Sequence, residues 1–279
     1  MGRNESQSRI LRKSMHWPLV VLISLSLASG SFGQETSSPK EQPVGVIVPE
    51  RPDQTNAPEL VPKGFVQWES GFIREQDKSG DVSTTNYLFN TSLIRYGLSD
   101  LLELRLQIEY AGQKIEHSSA SFLTEGLNPV VVGTKFFLCD PSGLIPQSSV
   151  SLSLTLPYFG ASEFRPTHIA PSIFFLFENE FSERISLGYN LGLQWDGTNQ
   201  NATSVVTASL GISLSERVNV FLEAYSFAAR SSGPDHRADA GLSVLVLQNL
   251  MLDASGGVGL NALAPDSFVS FGFSWRLPN

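Results

Sequence analysis

From Gly64 onward the chain alternates in character with a period of two, and the two faces this makes could not close around a dry core. Leu102, Leu104, Leu106, Ile108 and Tyr110 fall on one side of a strand, and Glu103, Arg105, Gln107 and Glu109 on the other, because successive side chains of a strand point oppositely. The pattern returns along the chain. Val150 to Leu156 alternates with Ser149 to Thr155, Ile185 to Trp195 with Ser186 to Gln194, and Val206 to Leu214 with Thr207 to Ser213. Leu252 to Leu260 alternates with Asp253 to Gly259, and Val269 to Leu277 with Ser270 to Arg276. Weaker segments of the same kind span Gly64–Glu75, Ser83–Tyr96, Val130–Cys139, Ile169–Glu178, Val218–Ala228 and Arg237–Leu247. In Ser83–Tyr96, Tyr87, Phe89 and Leu93 share parity with Arg95, so a bulge is expected to switch faces there.

A soluble sandwich or barrel also alternates, but it fills its inside with apolar groups. Here the minor face carries Ser, Gly, Asn and charge at mid-strand positions. Strands of about ten residues have the length of a tilted membrane crossing. Trp68, Phe72, Tyr96, Tyr110, Trp195 and Trp275 sit near the ends of the apolar faces, as the aromatic girdles of membrane barrels do. No stretch holds eighteen apolar residues in a row, and the mean hydropathy is −0.01, the average expected when one face meets lipid and the other a polar lumen. An open sheet edge has no water to bond in hydrocarbon, so first and last strands should pair. The expected fold is all-β: a transmembrane, antiparallel, up-and-down β-barrel of about twelve strands, with outer-membrane lipid as its solvent.

Ahead of it, Arg3, Arg9, Arg12 and Lys13 precede the apolar run Trp17 to Ala28 and the small residues Ser31 and Gly33. This reads as an export signal over 1–33, cleaved before Gln34. Residues 34–63 carry Pro39, Pro43, Pro49, Pro52, Pro58 and Pro62 and are expected to be a largely irregular periplasmic leader. The barrel then covers 64–279. Links after odd strands are mostly long and polar, such as Ala111–Pro129 and Tyr158–His168, and those after even strands mostly short. That is expected when one end faces outside and the other the periplasm. The formal charge is −8 and grows more negative once the signal's four bases and Glu5 are gone, which argues against nucleic acid as a partner.

Arg51-Pro52-Asp53-Gln54-Thr55, Pro62-Lys63-Gly64, Arg95-Tyr96-Gly97-Leu98-Ser99-Asp100, Glu103-Leu104-Arg105, Gly126-Leu127, Gly133, Lys135 and Leu156-Pro157 together resemble a bacterial family named for a meta-pathway of phenol degradation. Its members are transporter-like outer-membrane proteins. Asn128-Pro129 and Tyr158-Phe159-Gly160 depart from the family's pattern in the loops. The resemblance implies passage of aromatic or hydrophobic small molecules as cargo. Phe271, Phe273 and Trp275 resemble the terminal signal read by barrel-assembly machinery, although the chain ends Leu277-Pro278-Asn279.

Charges on the polar faces are the candidate functional residues: Glu69, Glu103, Arg105, Glu109, Lys135, Glu223, Asp239, Asp253 and Arg276. They can line a pore or bind cargo at a constriction, or pair among themselves and fill the lumen. No catalytic constellation, metal spacing, phosphate loop or cofactor motif is visible. His117, His168 and His236 fall in expected outer loops, and the adjacent Asp235-His236 does not by itself make a positioned dyad. The function expected is a channel or transporter for small molecules. The alternative is a non-conducting structural or adhesion barrel acting through its outer loops.

Overall fold

The computed structural model describes residues 44–230 and 232–277. The expected export signal and residues 34–43 of the leader lie outside them. Among the described residues thirteen strands follow the leader: β1 (Val66–Ser79), β2 (Val82–Ser99), β3 (Leu102–His117), β4 (Ala120–Leu127), β5 (Val131–Cys139), β6 (Gln147–Thr155), β7 (Ala170–Ser182), β8 (Ile185–Gln194), β9 (Thr203–Ser213), β10 (Val218–Ala229), β11 (Gly233–Leu247), β12 (Leu250–Gly259) and β13 (Ser267–Arg276). Twelve form the wall. Each pairs antiparallel with its neighbours, β3 pairs with β5, and β13 returns to β1 from Gln67↔Arg276 to Gln76↔Ser267. The ring is closed, as hydrocarbon requires of a sheet that crosses it.

The distribution of side chains inverts the rule for water-soluble proteins. Leu104, Leu252 and Val258 are 43%, 48% and 52% exposed on the outside, whereas Glu69, Glu103 and Lys135 are wholly buried. Only a barrel with lipid outside and polar contents gives this arrangement at low cost. The face switch in β2 occurs at the expected place. The ladder with β3 shifts register between Phe89 and Ser92, and Asn90 takes φ +55°. Tyr87 and Phe89 therefore pack outside with Phe72, while Arg95 points inward.

Three expectations need correction. The long link 111–129 is mostly strand. β3 runs on to His117, turns at Ser118, and returns as β4, which pairs with β3 alone. The first link is likewise a two-residue turn, with Gly80 at φ +59° between β1 and β2. Above the lipid both faces of a strand meet water, so Gln113, Lys114 and Glu116 carry no apolar alternation to read. His236 lies within β11 rather than in a loop. The third correction concerns the leader. Residues 44–62 have no helix or strand, as expected, but they do not lie in the periplasm. They bond to β1, β2, β3, β5, β6, β8, β9, β10 and β12. A segment that touches strands around the whole ring has to run inside it. Its carbonyls and N–H groups need partners there, and the polar inner face supplies them.

Candidate functional site

The leader enters at the short-turn end. Arg276 donates to the Gly45 carbonyl at 2.5 Å, and the Ile47 N–H donates to the Gln248 carbonyl at 2.9 Å. Ile47 packs with Leu245 and Met251. Then comes a dense ionic seat. Glu50 of the leader is bonded by Arg105, lies 2.5 Å from Lys135 Nζ and 3.7 Å from Arg95, and its N–H donates to Glu69 at 2.9 Å. Arg95 holds Glu103 at 2.8 Å through Nε and Glu69 at 3.0 Å through Nη1. Three cations thus meet three carboxylates, and the spare donors are used too. Lys135 donates to the Ala57 and Glu59 carbonyls at 2.8 and 3.1 Å, and Arg95 to Val48 and Glu59. Burying so much charge is tolerable only with this complete pairing.

Farther along, the Arg51 guanidinium passes Gly71 and Gly272 and reaches Asp253 at 3.0 Å and Ser270 at 3.0 Å. Gly71 and Gly272 are opposite each other in the ladder, and a side chain on either would collide with Arg51. Gln54 and Thr55 donate to the two oxygens of Glu223 at 2.8 and 2.5 Å. Asn56 and Asn190 exchange a pair of hydrogen bonds at 2.7 and 2.9 Å. The Ser149 hydroxyl donates to the Pro58 carbonyl, and the Val61 N–H to Glu103. The chain then leaves at Lys63, beside Gly97, and becomes β1.

All nine candidate charges face inward, but they do not form one group. Glu69, Glu103, Arg105 and Lys135 share the ionic seat. Asp253 holds Arg51, Glu223 holds Gln54 and Thr55, and Arg276 holds Gly45. Glu109 accepts from Gln107 and Asn128 nearer the outer mouth. Asp239 is buried opposite Glu223, and neither of its oxygens has a donor. The sequence reading missed Arg95, the most connected cation, its leader partner Glu50, and Arg51 as the partner of Asp253. A parity count that reset at the bulge would have placed Arg95 inward. Asp235 of the Asp235-His236 pair holds Arg237 at 2.9 Å, so its carboxylate is turned to an arginine. Among the described residues no group of three or more His, Cys, Asp or Glu is arranged to hold a metal ion.

The leader separates two cavities. The outer one, about 550 Å³, is lined by Gln107, Glu109, Ser151, Ser153, Thr155 and Gln194, with Val131, Phe174, Trp195, Val205 and Phe227 as apolar wall. The inner one, about 390 Å³, is lined by Glu59, Glu178, Glu180, Ser213, Asn219 and Met251. Arg51, Asp53 and Asn56 border both. At the outer rim, Asp196 accepts the Thr198 and Asn199 N–H groups, which hold its carboxyl below the usual carboxylate range.

Fold and site together define a class: a twelve-stranded transmembrane barrel of outer-membrane type, with its own N-terminal segment lodged in the lumen. The family model described as "Putative MetA-pathway of phenol degradation" matches residues 50–277, and the chain belongs to that family. The match starts at Glu50, so it takes in the lumenal stretch as well as the wall. Among solved structures, the fold is similar to the COG4313 outer membrane channel from Pseudomonas putida F1. The TM-score is 0.61 at 12% identity, over 78% of this chain and 97% of that one. It is also similar to the transport unit of the autotransporter AIDA-I from Escherichia coli, with TM-score 0.52 at 10% identity, over 78% and 91%. No curated protein matches the chain in sequence.

Proposed function

We propose that the protein is an outer-membrane channel for small aromatic or hydrophobic molecules, and that passage is governed by the leader. The observation that carries this is the outer cavity. Its volume of about 550 Å³ suits a small molecule, and its lining is amphipathic. Phe174, Trp195 and Phe227 supply aromatic wall, while Gln107, Ser151, Thr155 and Gln194 supply polar groups. Binding sites for small molecules combine an apolar wall with a few polar groups in this way. The family description, which names phenol degradation, supports aromatic cargo. The floor of that cavity is the leader, so a solute moving toward the inner cavity has to pass Arg51, Asp53 and Asn56. Export through the amino-terminal signal, residence in the outer membrane and delivery by the assembly machinery belong to the same proposal.

Planar-bilayer recording tests it. The mature protein should conduct ions, and a small aromatic alcohol added at the loop side should interrupt the current. Phe174→Ala with Phe227→Ala should weaken that interruption. A folded protein whose current ignores aromatic solutes would leave only a polar pore. One that never conducts, with or without the leader, would favour a role for the outer loops.

A further inference from the structure

The ionic seat at Glu50 is fully paired, but the seat at Gln54 and Thr55 is not. Glu223 on β10 and Asp239 on β11 are directly opposite in the ladder, both pointing inward and both more than nine-tenths buried. Glu223 receives the Gln54 N–H and the Thr55 hydroxyl. Both oxygens of Asp239 are buried without a donor. The residue before Gln54 is another acid, Asp53. Every charged or titratable neighbour on the surrounding elements is either acidic, neutral or already engaged. On β9, Thr207 and Ser209 flank Glu223. On β10, Tyr225 stands two residues on. On β11, Arg237 is turned to Asp235 and Glu75. On β12, Asp253 is taken by Arg51. Directly opposed like charges repel, and a buried carboxylate with neither cation nor hydrogen bond is among the costliest groups a fold can hold.

We infer that Glu223 and Asp239 together take up one proton from solution, and that this proton fastens the middle of the leader to the wall. With a proton shared between them, Asp239 gains a partner and Glu223 keeps its two leader bonds. Removing it places two charges side by side, with Asp53 as a third close by on the leader. The leader should then lift at 53–56 while its Glu50 end stays anchored. Among the described residues no group of three or more His, Cys, Asp or Glu is arranged to hold a metal ion, whereas a proton needs only the two facing carboxyls. The inference goes beyond the channel proposal and does not need the barrel to conduct.

Hydrogen–deuterium exchange of the full mature protein in detergent micelles tests it, comparing variants at matched pH. In the wild type, protection of 52–57 should fall at least about tenfold between neutral and alkaline pH, the change that about one unit of differential proton affinity produces. Protection around Glu50 should not change. Asp239→Asn should make the response flat, because its amide can donate to Glu223 at any pH. Glu223→Gln should flatten it as well, which keeps the test open if one variant folds poorly. A wild-type loss that persists in both variants overturns the inference. So does a wild type without any loss, or one whose protection at constant pH follows added calcium or its chelation.

Discussion

Two stretches of the leader are held to the wall by opposite strategies. At Glu50, three cations and three carboxylates from the leader and four strands are paired, and almost every spare donor finds a leader carbonyl. At Gln54 and Thr55, the wall offers a hydroxyl and two acids but no cation, and one of the acids is unpartnered. Both stretches are irregular backbone inside the same ring. What differs is how the wall compensates burial. The first seat resists change because any single loss strands a charge. The second can change state by gaining or losing one small cation. A lumen segment that must both stay attached and yield to cargo needs one of each.

Breaking the first seat should have the largest effect. Glu50→Ala leaves Arg95, Arg105 and Lys135 facing only two carboxylates, and stranding a buried charge costs about 3–5 kcal/mol. Exchange protection should collapse over the whole of 44–63, and ion conductance should rise. Unchanged protection would mean the ionic seat is not the anchor. Next in size is a change to the wall rather than to either seat. Leu106→Arg puts a charge on the lipid face at a cost of about 2–4 kcal/mol and should lower the denaturation midpoint in micelles. The adjacent Gln107→Arg, on the lumen side, should leave that midpoint nearly unchanged. Equal damage from both would undo the assignment of faces. Smallest are the single hydrogen bonds at the far seat. Thr55→Val should cost about 1 kcal/mol, seen as faster exchange at 53–56 with no effect at Glu50. An effect that spreads to Glu50 would mean the two seats act as one.

Much of this was legible in the residues. Period-two alternation found all twelve wall strands, because lipid and lumen impose opposite chemistry on alternate side chains. The same alternation is what singled out the nine candidate charges. It failed where that contrast vanishes. β4 and the tops of β1 to β3 stand in water on both sides, so Lys114 and Glu116 read as loop. The partners of the charges were not legible, since pairing depends on which strands meet across the lumen. Arg95 was hidden behind the bulge at Asn90. The leader's place was missed because proline and polar residues describe an irregular chain equally well inside a barrel or beside one. Only the unmatched polar wall, which has to bond something, pointed indoors.

The most direct test of the account is a pair of single-channel recordings, one on the intact mature protein and one on a protein lacking residues 44–62. If the leader divides the lumen as described, the shortened protein should fold into the same heat-modifiable barrel and conduct several-fold more, by an amount on the order of the lumen area freed when a plug is removed. Equal conductance from two well-folded proteins would contradict it, since ions would then be passing by a route the leader does not cross.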